Sequence, residues 1–109
     1  PDRLEDDGLG SFDPVAHSPL TFERVRHDDF PALALGIAAG RLGGAAPAVY
    51  NAANEEAVAI FLEGGMTFGD IPRAISAALD RADRLPSDTR QALLQADRDA
   101  RALVRERFA

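Results

Sequence analysis

Apolar positions are scattered through residues 1–29 and become periodic only from about residue 30. Over 30–42 and 47–63, apolar residues recur at helical spacing, and each run stops at a glycine pair, Gly43-Gly44 and Gly64-Gly65. Pro31 fits the first turn of the earlier helix, with Asp28 or Asp29 as its cap. A third helix carries Ile71, Ile75, Leu79 and Ala82 in one stripe. Thr67 paired with Asp70 reads as a capping-box variant. A start with Asp70 itself as cap keeps Pro72 in the first turn and is preferred. Leu85-Pro86 breaks the chain, and Ser87 is expected to cap a fourth helix. Its core side is Ala92, Leu93, Ala96, Ala100, Leu103, Val104 and Phe108. Four amphipathic helices with short loops bury their stripes most simply as an all-α, antiparallel four-helix bundle over 30–109.

Residues 1–29 read as a linker. Gly8, Gly10, Pro14 and Pro19 interrupt any regular pattern, and acidic residues dominate the start. Leu20, Phe22 and Val25 alternate weakly, which predicts a short extended segment docked over 19–25. The first 18 residues are too polar to order alone.

The second helix breaks the pattern of a merely soluble helix. At about 100° per residue, Asn51, Asn54, Glu55, Val58 and Leu62 share one side. Two amides and a carboxylate thus stand in line with the expected apolar seam, and buried amides require partners. Four readings follow. Asn51 is an N-cap, although Pro47 marks an earlier start. Alternatively the three residues form a structural network with the linker or a loop, or they face another domain. Glu55 as a catalytic base is the fourth reading, disfavoured because a lone Glu without a metal, a His or a second carboxylate to work with lacks the usual machinery.

Composition narrows the remaining chemistry. With 109 residues the chain supports one core. Its high alanine content suits closely packed helices. Cysteine is absent, which removes disulfide and thiolate chemistry. All 12 basic residues are arginine, which removes Schiff-base and P-loop lysines. A net charge of −6 without a basic run argues against nucleic acid. No apolar run is long enough to span a bilayer, and no signal peptide is evident. The first residue is Pro rather than Met, so the N-terminus is read as a cut. His17 and His27 lie in the linker without ligand spacing and read as solvated. The glycine pairs follow helices rather than opening one, so no dinucleotide fingerprint is present. Asp97, Arg98, Asp99 and Arg101 spread around the fourth helix and read as a solvated face with an ordinary i, i+4 pair.

The run Pro47-Ala48-Val49-Tyr50-Asn51-Ala52-Ala53-Asn54-Glu55, followed by Ala57-Val58 and Phe61-Leu62, resembles the C-terminal domain of the 1-deoxy-D-xylulose 5-phosphate reductoisomerase family. Tyr50 stands where that family shows Leu. Pro1-Asp2-Arg3-Leu4, Leu20-Thr21-Phe22-Glu23, Phe30-Pro31-Ala32-Leu33, Phe68-Gly69-Asp70-Ile71 and Asp97-Arg98-Asp99-Ala100-Arg101 extend the likeness. It is good over 19–83, looser over 92–108 and poor over 5–18.

The resemblance implies a four-helix C-terminal domain of an isoprenoid-pathway oxidoreductase. Such an enzyme makes 2-C-methyl-D-erythritol 4-phosphate with NADPH and Mg2+ or Mn2+. The family's nucleotide and metal residues lie upstream, so no catalytic, cofactor or metal residue is expected here and the chain alone is expected to be inactive. The implied partners are the catalytic and NADPH-binding domains of the same polypeptide, in a homodimer. The implied location is the bacterial cytoplasm, with a plastid enzyme also open. A stand-alone helical interaction module is the alternative.

Overall fold

The computed structural model describes residues 30–109 together with 15–16, 22–24 and 26. Four α-helices follow in order: α1 (Pro31–Leu42), α2 (Ala46–Leu62), α3 (Asp70–Leu79) and α4 (Arg90–Phe108). A 3-10 turn, Ala82–Arg84, lies between α3 and α4. Among the described residues no strand is formed. The fold is all-α, and its helix pairings are compatible with an antiparallel bundle. The extended segment expected over 19–25 falls largely outside the described residues, as do His17 and His27. Phe22, which is described, is 90% exposed.

The helix ends follow from the punctuation in the sequence. Pro31 occupies the first turn of α1, where its missing N–H has no partner to lose. Gly43 and Gly44 take φ of 70° and 58°, a left-handed conformation that side chains with a Cβ resist. After α2, Gly64 at φ 83° turns the chain, and the Gly65 N–H closes onto the Ile60 carbonyl at 2.8 Å.

Before α3, the Thr67 N–H donates to Asp70 Oδ2 at 3.0 Å. Asp70 is the first helical residue and Gly69 holds the cap position, so Asp70 is not itself the cap that the preferred start expected, although Pro72 does fall in the first turn. The reach back to Thr67 is one arm of a capping box; the Asp70 N–H bonds to the Thr67 carbonyl at 3.0 Å and not to its hydroxyl. The cap of α4 differs from expectation. Thr89, not Ser87, precedes the first turn, and its Oγ1 accepts from the Ala92 N–H at 3.0 Å. Thr89 lies three residues before that orphan donor, whereas Ser87 sits beyond its reach.

The core is built on α2, which packs most extensively on α4, then on α3, and also on α1. Ala46, Ala52, Ala53 and Ala57 are buried on it and share one core with alanines of other helices, among them Ala74, Ala78, Ala96 and Ala100. Small side chains at these contacts let the helix axes approach closely. Val49, Ile60, Ile75 and Val104 fill the remaining volume at under 2% exposure. Each such burial stabilises by about 1.5–3 kcal/mol before chain entropy is counted. Phe61 and Phe68 meet edge to face, with centroids 5.7 Å apart.

Tyr50 ties α2 to α1. Its hydroxyl donates to the Ala32 carbonyl at 3.0 Å. Its ring occupies the space over Gly36, where an added Cβ would stand 3.0 Å from Tyr50 Cζ. The glycine inside α1 is therefore matched to the tyrosine on α2.

Candidate functional site

Asn51, Asn54 and Glu55 lie in the middle of α2, which begins at Ala46. Asn51 is thus an interior residue and caps nothing, because Ala45 holds the N-cap position. The expected alignment of these residues with the apolar seam is also corrected. The buried arc of α2 is Ala46, Val49, Ala52, Ala53, Ala57 and Ile60. Asn51 and Glu55 are exposed, Asn54 and Val58 are half-buried, and Leu62 is 76% exposed. At about 100° per residue, the stripe through Asn51, Glu55 and Leu62 points almost directly away from the centre of the buried arc. The buried face is read wrongly from sequence because its markers are alanines. The stripe of larger and amide residues is the outer one.

The stripe divides in two. Among the described residues, the side chains of Asn51 and Asn54 have no hydrogen-bond partner. Glu55, in contrast, accepts from Arg101 Nη2 of α4 at 2.6 Å. Arg101 also donates through Nε to Asp97 Oδ1 at 2.7 Å, and its Nη1 stands 3.7 Å from Glu56 Oε1. Glu56 is the better shielded carboxylate, with 17% of its side chain exposed, and it also pairs with Arg105 Nε. Arg105 Nη1 then reaches Glu63 Oε1 at 2.9 Å.

Two arginines one turn apart on α4 therefore clasp Glu55 and Glu56 of α2 and Glu63 at its C-terminal cap. The hydrogen bonds that Arg101 donates to Asp97 and Glu55 raise its pKa, and those that Arg105 donates to Glu56 and Glu63 raise that of Arg105. Both shifts hold already permanent charges more firmly. The pair Asp97–Arg101 foreseen on α4 is present. Its partner across the bundle, Glu55, was not foreseen. The signal available was Arg101 and Arg105 at i, i+4 facing acids at 55, 56 and 63.

This arrangement ties α4 to α2. Its carboxylates are neutralised by guanidinium groups, and no nucleophile stands beside a base. Among the described residues, no group of three or more His, Cys, Asp or Glu side chains is placed to hold a metal ion. The described glycines with positive φ, Gly43, Gly44 and Gly64, follow the ends of α1 and α2. No described helix is long and apolar enough to cross a membrane.

The sequence profile of the DXP reductoisomerase C-terminal domain family matches residues 1–103. The chain belongs to this family. Its curated relatives carry the name 1-deoxy-D-xylulose 5-phosphate reductoisomerase. The protein from Thermosynechococcus vestitus is 48% identical over 96 residues, covering 86% of this chain and 23% of that protein. The relative from Aromatoleum aromaticum is 49% identical over 105 residues, covering 96% of this chain and 26% of its own length. That from Listeria innocua is 40% identical, with 96% and 28% covered. The chain thus spans about a quarter of the length of the relatives it matches.

Proposed function

We propose that this chain is the C-terminal structural domain of an NADPH- and divalent-metal-dependent enzyme. That enzyme converts 1-deoxy-D-xylulose 5-phosphate to 2-C-methyl-D-erythritol 4-phosphate in isoprenoid biosynthesis. The observation that carries the reading is the family match over 1–103, joined to relatives of that name about four times as long. NADPH would supply the hydride, and Mg2+ or Mn2+ would polarise the substrate's oxygens. The family resemblance puts the residues that hold both groups upstream of this chain, and on that reading the chain by itself is inactive.

Its role is mechanical. A bundle tied across α2 and α4 holds its surface stiff, and a stiff support keeps distant reacting groups in register. Asn51 and Asn54 are amides without partners among the described residues, on the outer side of α2. This favours contact with the linker or with the catalytic domain of the same polypeptide. Residues 1–29 serve as the linker and 30–109 as the domain. The working enzyme is a homodimer in the bacterial cytoplasm.

A stand-alone interaction module is the second reading, favoured by a core that α1 to α4 complete among themselves. The coding sequence upstream of Pro1 separates the two. An open frame of some hundreds of codons with a Gly-rich nucleotide turn and an Asp-Ser-Glu motif supports the enzyme. A start codon immediately before Pro1 leaves the module.

A further inference from the structure

α1 has the composition of a helix covered on both sides, yet among the described residues only one side is covered. Its sequence, PALALGIAAGRL, contains a single charge, Arg41. The side formed by Ala32, Leu35, Gly36 and Ala39 faces the bundle. The opposite side presents Leu33 at 42% and Ile37 at 43% exposure, flanked by exposed Ala34 and Ala38. Surface helices ordinarily place charges there, and a helix apolar all round is a buried one. At its N-terminal end, a pocket of about 240 Å³ opens between Phe30 and Phe68 over Pro31, Ile71 and Pro72. Phe30 is 56% exposed and Phe68 64%. Ridge and pocket lie on different flanks of α1, and both are exposed apolar surface of the kind that marks an interaction site.

We propose that this outer face of α1 is a docking face for the upstream part of the same polypeptide. Leu33 and Ile37 form its ridge, and the Phe30–Phe68 pocket receives an apolar side chain. This rests on the reading that the chain is one domain of a longer enzyme. The relatives carry about three quarters of their length outside the matched region, and the family is a C-terminal domain, so that length precedes this face. A second copy fits less well, because each copy brings a net charge of −6. The complementary surface is aliphatic or aromatic at its centre. A carboxylate or carbonyl lies on it opposite Arg41, the one charge on α1.

Hydroxyl-radical footprinting of the full-length polypeptide tests the assignment. Leu94 on α4 is the internal reference, since it is 42% exposed, like Leu33. Docking predicts that Leu33 and Ile37 are oxidised several-fold more slowly than Leu94, and that Leu33→Glu raises the oxidation of Phe30 and Phe68. Leu33 labelled as fast as Leu94 overturns the proposal. So does protection that disappears on dilution to a folded monomer, which assigns the face to a second copy. Reductoisomerase activity of the same sample tests the parent reading separately. Activity with Leu33 unprotected removes the docking face alone, whereas protection without activity keeps the face and removes the enzyme.

Discussion

At the scale of single residues, Gly36 and Tyr50 form the most specific pair in the bundle. A glycine inside a helix costs about 1 kcal/mol relative to alanine, so it needs a reason to be there. The reason is the Tyr50 ring, anchored by its bond to the Ala32 carbonyl. Gly36→Ala gains helix propensity and loses ring space in the same step. We expect Gly36→Ala to be less favourable by about 0.5–2 kcal/mol with Tyr50 present than in a Tyr50→Leu background. A chemical-denaturation cycle of the four proteins reads this directly, and additive effects would mean that the ring moves aside freely. Asp70 gives a second prediction. The hydrogen bond from the Thr67 N–H, with help from its side chain and from Arg73, lowers the Asp70 pKa. A lowered carboxylate pKa adds stability that is complete above its unfolded value. That stability is lost as pH falls through the folded value. The N-terminal turn of α3 should therefore loosen only in acid below the ordinary aspartate range. Asp70→Asn should abolish that transition in an NMR titration of the Thr67 amide.

At the scale of elements, the sequence shows helices and their ends more clearly than faces. Pro31, Gly43 and Gly64 set boundaries through backbone conformation alone, and such signals are local. The core side of α4 is equally plain, because Leu103 and Val104 mark it. On α2 the inner arc is marked by alanines, which weigh little on any hydropathy pattern. Which arc is inner depends on the neighbours α1, α3 and α4 rather than on α2. The same dependence hid the clasp, since Glu55, Glu56 and Glu63 meet Arg101 and Arg105 across more than 40 residues of chain. Exposed ion pairs contribute little singly, and this network matters through its shielded member, Glu56. Glu56→Gln should lower stability by about 1–2 kcal/mol, because two guanidinium groups lose a charged acceptor. The loss should shrink at high salt and in an Arg105→Gln background. A salt-independent loss would point to packing around Glu56 instead of charge.

At the scale of the whole molecule, the two outward surfaces carry different chemistry. α1 offers exposed apolar surface, and the outer stripe of α2 offers amides beside Val58 and Leu62. A domain that acts by bracing should respond to mutation only when its support is present, and Asn54 isolates that behaviour. In the chain alone, Asn54 is half-buried and its amide has no partner among the described residues. Asn54→Ala should then change stability by no more than about 0.5 kcal/mol, the usual range away from specific contacts. In the full-length polypeptide, an amide that meets a linker or catalytic-domain group leaves that group stranded when removed, at a cost of about 1–3 kcal/mol. Catalysis should fall as well, because small displacements of reacting groups are costly. Thermal melting of both forms, with turnover of the longer one, measures the difference. Equal and negligible effects in both forms would show that the outer side of α2 faces solvent in the enzyme too. The bracing contact would then have to run through other surfaces, of which the outer face of α1 is the next to examine.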